Sequence, residues 1–343
     1  MIKRGIYAIL LSMMIRILSK QQTFGSLLTT LAEFLLPAYD LPQGISVAGW
    51  LIEMITERSK TQLMSMEQLI LTQQHYEQLA RWVDDLVLEH KPLAYIIGWV
   101  PFADLKIAVE PPILIPRLET EEWVMDLISI LKRVSERELT ILDLCTGSGV
   151  IGLSLAAHLC NAHITALDTN EQALKLAEKN KKNLHLSRIQ FLLSDLYEGV
   201  PLKSRFDVIV ANPPYIDENE WVHLEPSVRN WEDPHALIAE DNGVAILEKI
   251  INQAPYYLQE SFGINYPDMS NLFVEIGAGQ GKSVAELCWK AGAEQVIIHQ
   301  DAAGHDRWIS ARMLTRRMSE AQKTKKSYYA GCAGSFSKSG GSN

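Results

Sequence analysis

The sequence predicts an α/β protein: a seven-stranded, mainly parallel Rossmann-like sheet with helices on both faces, preceded by a small N-terminal helical domain and a β-hairpin linker. Three observations carry this expectation. From Leu139 onward, strand-length apolar runs alternate with helix-length stretches, the pattern of a parallel sheet whose crossovers cover both faces. Over residues 23–93 apolar positions recur at helical spacing, as in Leu27, Leu28, Leu31 and Leu35, and again in Leu79, Trp82, Val83 and Leu86. Between the two regions Gly98, Pro101, Pro111, Pro112 and Pro116 punctuate short β-like stretches such as 105–109.

In order along the chain, residues 1–22 are an extension. Residues 6–15 are apolar except for Ser12 and follow Lys3 and Arg4. That run is shorter than the ~20 residues a membrane span requires, and no small-x-small cleavage pattern follows it. The expectation is an extra amphipathic helix on a cytoplasmic protein. A mitochondrial presequence is the alternative, because no acid occurs before Glu33. Residues 23–93 form the helical domain, interrupted at Pro37, Pro42 and Gly44. With little catalytic chemistry of its own, it reads as a recognition domain. Residues 94–118 are the hairpin linker. Residues 119–315 hold the sheet, with strands at 139–144, 163–168, 189–193, 206–211, 271–276, 295–300 and 306–312, and helices at 150–159, 171–183, 244–259 and 282–291. Residues 316–343 turn to Lys, Ser and Gly and read as a disordered basic tail.

Composition narrows the function classes. The 343 residues are 47% hydrophobic and 21% charged, enough for one large domain and a smaller one. Cys145, Cys160, Cys288 and Cys332 are widely spaced, with no C-x-x-C pair. This speaks against a disulfide framework or a zinc site, and for a reducing compartment. The net charge is -9, but the tail carries +5 and the first 22 residues +4, which leaves about -18 on the body. Such a body is a poor match for a nucleic-acid backbone. No metal, membrane or stable nucleic-acid partner is expected, and the chain is expected to be a monomer.

The first motif runs from Leu139 to Leu155: L-T-I-L-D-L-C-T-G-S-G-V-I-G-L-S-L. An apolar strand enters a small Gly-rich turn and then a helix. Gly147 and Gly149 let the backbone turn sharply and approach a ligand. Asp168 ends the next strand, 19 residues after Gly149, where a carboxylate can accept both hydroxyls of a ribose. The loop lacks the third glycine of the dinucleotide fingerprint. A ligand without a pyrophosphate suits it better, and S-adenosylmethionine is such a ligand. A second glycine-rich stretch, L-F-V-E-I-G-A-G-Q-G from Leu272 to Gly281, matches the fingerprint better when taken alone, with Asp301 20 residues on. Too little chain follows it to complete a cofactor domain, so 277–281 reads as the turn after the fifth strand.

The second motif is F-D-V-I-V-A-N-P-P-Y, from Phe206 to Tyr215. A buried strand delivers Asn212, Pro213, Pro214 and Tyr215 at its carboxyl end, the edge where open α/β sheets bind ligands. A planar amide or aniline-like nitrogen is a poor nucleophile, because its lone pair is delocalised. The Asn212 side-chain oxygen and the Pro213 carbonyl can each accept one N–H of such a group. That favours a pyramidal, more nucleophilic nitrogen held in line with a methyl donor. The two prolines hold the backbone extended, and Tyr215 can stack on the flat target. The plain alternative is a strand-ending Asn-Pro turn.

With both motifs in hand, residues 23–315 resemble the class I S-adenosylmethionine-dependent methyltransferases. More narrowly, they are similar to the HemK/PrmC family of protein-(glutamine-N5) methyltransferases. The marks are Pro92-Leu-Ala-Tyr-Ile-Ile-Gly98, Leu114-Ile-Pro-Arg-Leu-Glu-Thr-Glu121, Leu142-Asp-Leu-Cys-Thr-Gly-Ser-Gly149, Ala211-Asn-Pro-Pro-Tyr-Ile216, and Glu225-Pro-Ser-Val-Arg229 followed by Pro234-His-Ala-Leu237. The resemblance implies a substrate, the glutamine of the Gly-Gly-Gln motif in class I peptide-chain release factors. It also implies roles. Cys145, Thr146, Gly147, Ser148 and Gly149 would line the methionine end of S-adenosylmethionine, Asp168 its ribose, and Asp195 and Leu196 its adenine. Asn212 would contact both cofactor and substrate, Pro213, Pro214 and Tyr215 would hold the glutamine, and Arg117 and Glu119 would help close the site. Cys145 stands where the family often has Gly, and Leu118 where it often has Pro. Two competing readings share these motifs: a nucleic-acid methyltransferase acting on adenine N6 or guanine N2, which must extract a base and usually presents basic surface, and a binding module with an inactive site.

Overall fold

The computed structural model describes residues 13–20, 23–134, 136–266 and 268–317. Residues 1–12 of the extension and the tail beyond 317 lie outside the described residues, and with them most of what bears on a presequence and on the tail. The chain divides into two compact units. One comprises the described residues up to Gly98 together with Glu225–Trp231, and the other comprises Trp99–Leu224 and the described residues from Glu232 onward.

In the first unit the helices Phe24–Leu35, Leu41–Thr56, Lys60–Met64 and Gln73–Val87 each open on a reciprocal cap. The caps are Thr23 with Ser26, Asp40 with Gln43, Ser59 with Gln62, and Thr72 with His75. Each satisfies backbone N–H groups that a helix start leaves unpaired. Leu27, Leu31, Leu35, Leu51, Ile52, Leu79 and Val83 form the core. Residues 13–18 are also helical, and Met14 and Leu18 join that core. The segment Glu225–Trp231 is held within this unit by Trp231 Nε1, which donates to the Glu89 carbonyl at 2.8 Å, and by Lys91, whose ammonium lies 5.2 Å from the Trp231 ring centroid.

The second unit begins with an antiparallel hairpin of β1, Trp99–Phe102, and β2, Leu105–Ala108. Its two turn residues, Ala103 and Asp104, both have positive φ, as a two-residue turn matched to strand twist requires. The remaining strands are β3, Leu139–Leu144; β4, Ala162–Asp168; β5, Ile189–Leu193; β6, Val208–Ala211; β7, Leu272–Glu275; β8, Ala293–Gln300; and β9, Asp306–Met313. They form one sheet in the order β5-β4-β3-β6-β7-β9-β8, in which β9 runs antiparallel to both of its neighbours.

The strands are apolar on both sides because both sides are covered. Leu139 and Ile141 of β3, Val208 and Val210 of β6, and Phe273 of β7 enter one cluster with Trp123, Leu127 and Leu155. Leu142, Leu144, Ile209, Ala211, Leu272 and Val274 enter the other with Leu247, Ile250, Val284 and Cys288. Full burial of a large apolar side chain contributes roughly 1.5–3 kcal/mol, so the four consecutive buried residues of β6 fix it in the middle of the sheet. Gly277–Gly281 follows β7, the fifth strand from β3, as the sequence predicts.

The sequence reading differs from the structure in several places; the short helices Pro226–Arg229 and Glu260–Asn265 are not among the expected elements. The helix Leu118–Lys132 is absent from the expected elements. The helix expected over 244–259 ends at Gln253 and tightens into a 3₁₀ turn at Ala254–Tyr256, where Pro255 has no N–H to continue the α-helical ladder. Among the described residues, no helix is long and apolar enough to cross a membrane.

Candidate active site

The carboxyl ends of β3, β4 and β6 converge on a cavity. Its lining includes Cys145, Gly147, Asp168, Asp195, Leu196, Asn212 and Pro214, with Ile113, Asn170, Asp233, His235, Ala236 and Ile246 around them. Seven of the residues singled out in the sequence thus share one wall. Thr146, Ser148, Gly149, Pro213 and Tyr215 do not line the cavity, and Thr146, Ser148, Gly149 and Pro213 are buried behind it.

The loop is built from the strand outward. Cys145 and Gly147 have φ of 59° and 56°. This left-handed backbone disfavours side chains, which accounts for a glycine preference at position 145. A Cβ at Gly147 would meet nothing within 4 Å, whereas one on Gly149 (φ +84°) would meet Ala177 and Leu153 at 3.0 Å and Phe191 at 3.1 Å. Gly147 therefore leaves room for a ligand, and Gly149 leaves room for the protein. Beneath the turn, Asp143 Oδ2 accepts from Thr146 Oγ1 at 2.6 Å and from the Gly152 N–H at 2.9 Å. Its Oδ1 is buried without a partner, and burial, the dominant influence, pushes this carboxyl up to about 7. Asn180, fully buried, fastens the loop from the side. Its amide donates to the carbonyls of Ser148 and Ala108 at 3.0 and 3.1 Å, and its Oδ1 accepts from the Ala108 N–H at 2.7 Å.

Asp168 is held by its own neighbourhood. Oδ2 accepts from the Gly147 N–H at 2.8 Å and Oδ1 from the Asn170 N–H at 2.9 Å. An ionised carboxylate offers about four lone-pair positions, so Asp168 keeps acceptor capacity for a ligand hydroxyl. Burial raises the Asp168 carboxyl, and the backbone donors at Asn170, Gly147 and Thr169 oppose it. Burial and then the carboxylates of Asp168, Asp143 and Asp195 push the Cys145 thiol well above its usual range.

At the end of β6, Asn212 Nδ2 donates to Thr120 Oγ1 at 3.3 Å. Thr120 Oγ1 lies 2.8 Å from Glu275 Oε2, to which Trp123 Nε1 also donates at 2.7 Å. The Tyr215 hydroxyl donates to Glu275 Oε1 at 3.1 Å. Burial raises the Glu275 carboxyl, opposed by these three donors. The Tyr215 carbonyl accepts from Gln280 Nε2 at 2.9 Å, and Gln280 Oε1 accepts from the Gly277 N–H at 2.8 Å. The second glycine-rich stretch thus braces the tetrad. Of the two residues expected to close the site, Arg117 pairs with the buried Glu232 at 2.5 Å.

Sequence reasoning missed Asp143, Thr120, Trp123, Glu275, Gln280 and Asn180. One signal was available for Glu275. It is a carboxylate ending the buried strand L-F-V-E, and β6 pairs with β7 at Ala211 and Val274, one step before Asn212 and Glu275.

A family model described as the Methyltransferase small domain matches residues 126–225, and one described as the PrmC N-terminal domain matches residues 26–98. A release factor glutamine methyltransferase of Lactococcus lactis subsp. lactis is 38% identical over 225 residues, 65% of this chain and 78% of that protein. One of Thermodesulfovibrio yellowstonii is 37% identical over 221 residues, 64% and 76% of the two chains. One of Pasteurella multocida is 34% identical over 270 residues, 75% and 87%.

Proposed function

The chain belongs to the release factor glutamine methyltransferases, and from that premise we propose that it transfers a methyl group from S-adenosylmethionine to N5 of the glutamine in the Gly-Gly-Gln motif of class I peptide-chain release factors. One observation carries the reading: Asn212, Asp168 and Gly147 line a single cavity. An acceptor for an amide N–H, a carboxylate for a diol and a backbone open to close approach thus meet at one sheet edge.

The residues present suit the cofactor. Gly147 leaves open space where a side chain would stand, and the Asp168 carboxylate keeps acceptor capacity for the ribose. Asp195 and Leu196 would flank the adenine, and Cys145 and Gly147 the methionine end, on a turn that Thr146, Ser148 and Gly149 shape. When bound, S-adenosylmethionine supplies a methyl carbon on a sulfonium sulfur, electrophilic enough for a neutral nitrogen. The protein's part is orientation. Asn212 Oδ1 and the Pro213 carbonyl accept the two N–H groups of the carboxamide and favour its pyramidal form. Pro213, Pro214 and Tyr215 would hold the flat group, Pro214 from the cavity lining itself. These acceptors suit a carboxamide and would not neutralise an ammonium. The proton leaves the nitrogen after transfer, so no strong base is required. A glutamine that follows two glycines sits on a slim backbone that can reach the cavity, and the helical unit offers surface for the rest of a large protein. Remote contacts then serve to orient the reacting nitrogen. Methylation of a nucleic-acid amine would use the same tetrad, but the body of the chain is acidic and the curated relatives are named for glutamine.

Mass spectrometry of a release factor incubated with enzyme and cofactor is the test. The expected result is one added methyl on the Gly-Gly-Gln glutamine, lost with Asn212→Ala. Methylation only of DNA or RNA, or of another glutamine, would overturn the proposal.

A further inference from the structure

An asparagine amide has two unlike ends, and only the oxygen can accept an incoming N–H. Which end of Asn212 faces the target is decided by what lies behind it. Trp123 Nε1 can only donate, and it donates to Glu275 Oε2, which makes that oxygen an acceptor. Thr120 Oγ1 reaches the same oxygen and has a single hydrogen to give. With that hydrogen committed, Thr120 Oγ1 has only lone pairs left for Asn212, so the Asn212 end that meets it is the NH₂. Turning the amide over would set two acceptors against each other, or would pull the Thr120 hydrogen away from a buried carboxylate, where a charge-assisted bond is costly to lose.

We propose that Thr120 and Glu275 are positioning residues, and that the sequence of donors and acceptors Trp123–Glu275–Thr120–Asn212 holds Oδ1 of Asn212, not Nδ2, toward the target nitrogen. The inference rests on the reading of Asn212 as the acceptor for the glutamine amide. Thr120 and Glu275 are each only 1% exposed, so both act through the residues they hold. The pairing of β6 with β7 explains how two distant parts of the chain meet here: Glu275 is carried one step past Val274, beside the residue that follows Ala211. Thr120 is brought in by the helix Leu118–Lys132. The same carboxylate secures Tyr215 through its other oxygen, so one buried group orients two members of the tetrad.

Thr120→Val keeps the side-chain shape and removes the hydroxyl, and Thr120→Ser restores it. The measurements are kcat and KM for a release factor, the cofactor Kd by calorimetry, and the melting curve. For Thr120→Val we expect kcat to fall about tenfold or more while KM and Kd change by less than about twofold, because misorientation removes transition-state contacts rather than binding. Thr120→Ser should recover most of the loss. A Thr120→Val enzyme with wild-type kcat, or a Thr120→Ser enzyme as slow as Thr120→Val, overturns the inference. A measurement on the unmodified protein guards against a variant that fails to fold. In a ¹H–¹⁵N spectrum of the labelled wild type, the Asn212 side-chain amide should exchange with solvent more slowly than exposed asparagine amides; equal rates overturn the relay. If the wild type leaves the glutamine unmethylated, the functional reading fails first, and the exchange measurement still decides the relay by itself.

Discussion

The hydroxyl of Tyr215 donates to Glu275 Oε1 at 3.1 Å, which ties the last residue of the Asn-Pro-Pro-Tyr segment to a carboxylate from a different strand. Removing that hydroxyl leaves a buried carboxylate oxygen short of a donor. Tyr215→Phe should therefore destabilise the fold by about 1–3 kcal/mol while keeping the ring that would pack on a flat substrate. Urea denaturation would measure it. An unchanged midpoint would show that the bond contributes nothing.

Asp168→Ala should weaken S-adenosylmethionine binding, since the carboxylate would accept two ribose hydroxyls through charge-assisted bonds of about 1.5–3 kcal/mol each. The expected result by calorimetry is a Kd raised at least about tenfold. A wild-type Kd would remove Asp168 from the cofactor site.

Asp143 carries the clearest pH dependence. Burial pushes its carboxyl from the ordinary 3.8 up to about 7. Between these values the folded protein keeps a proton that the unfolded chain has lost. The stability contributed is full below the lower value, falls as pH rises, and is gone above the upper one, with a span on the order of 4 kcal/mol. Asp143→Asn abolishes this titration. Its stability relative to wild type should grow in the variant's favour from pH 4 to about pH 8. A difference that stays flat with pH contradicts the assignment.

Alkylation should separate two cysteines. Thiolate is the reactive form, and the Cys145 thiol is held well above its usual range by burial and by the neighbouring carboxylates Asp168, Asp143 and Asp195, whereas Cys160 is exposed. Brief iodoacetamide treatment at neutral pH followed by peptide mass spectrometry should modify Cys160 well before Cys145. The reverse order would mean that Cys145 is activated rather than suppressed.

The sheet was legible in the sequence because its strands are buried on both faces, so Val208 to Ala211 reads as an uninterrupted apolar run. The cofactor loop and the tetrad were legible for a different reason, since glycines and prolines announce backbone geometry directly. The helix Leu118–Lys132 was hidden. It follows a proline-rich stretch, and its first turn carries Glu119 and Glu121, which suit a helix start electrostatically but mask the apolar face of Trp123, Leu127 and Leu131. The support of the site was hidden more deeply. Thr120, Trp123 and Glu275 are ordinary residues in their local contexts, and they acquire meaning only when the pairing of β6 with β7 and the packing of one helix bring them together. Gln280 was misleading in isolation, because its glycine neighbours suggest a ligand loop while its amide in fact clamps the Tyr215 carbonyl.

Asn180 joins two parts of the second unit that lie far apart in the chain. One amide closes on both the N–H and the carbonyl of Ala108, at the end of β2, and on the carbonyl of Ser148 in the glycine-rich turn. The hairpin end and the turn thus share one buried side chain, and opening of either disturbs the anchor of the other. Rigidity gained at the turn when a ligand seats there should therefore slow amide hydrogen exchange at Ala108, and the linker hairpin becomes a remote reporter of cofactor occupancy.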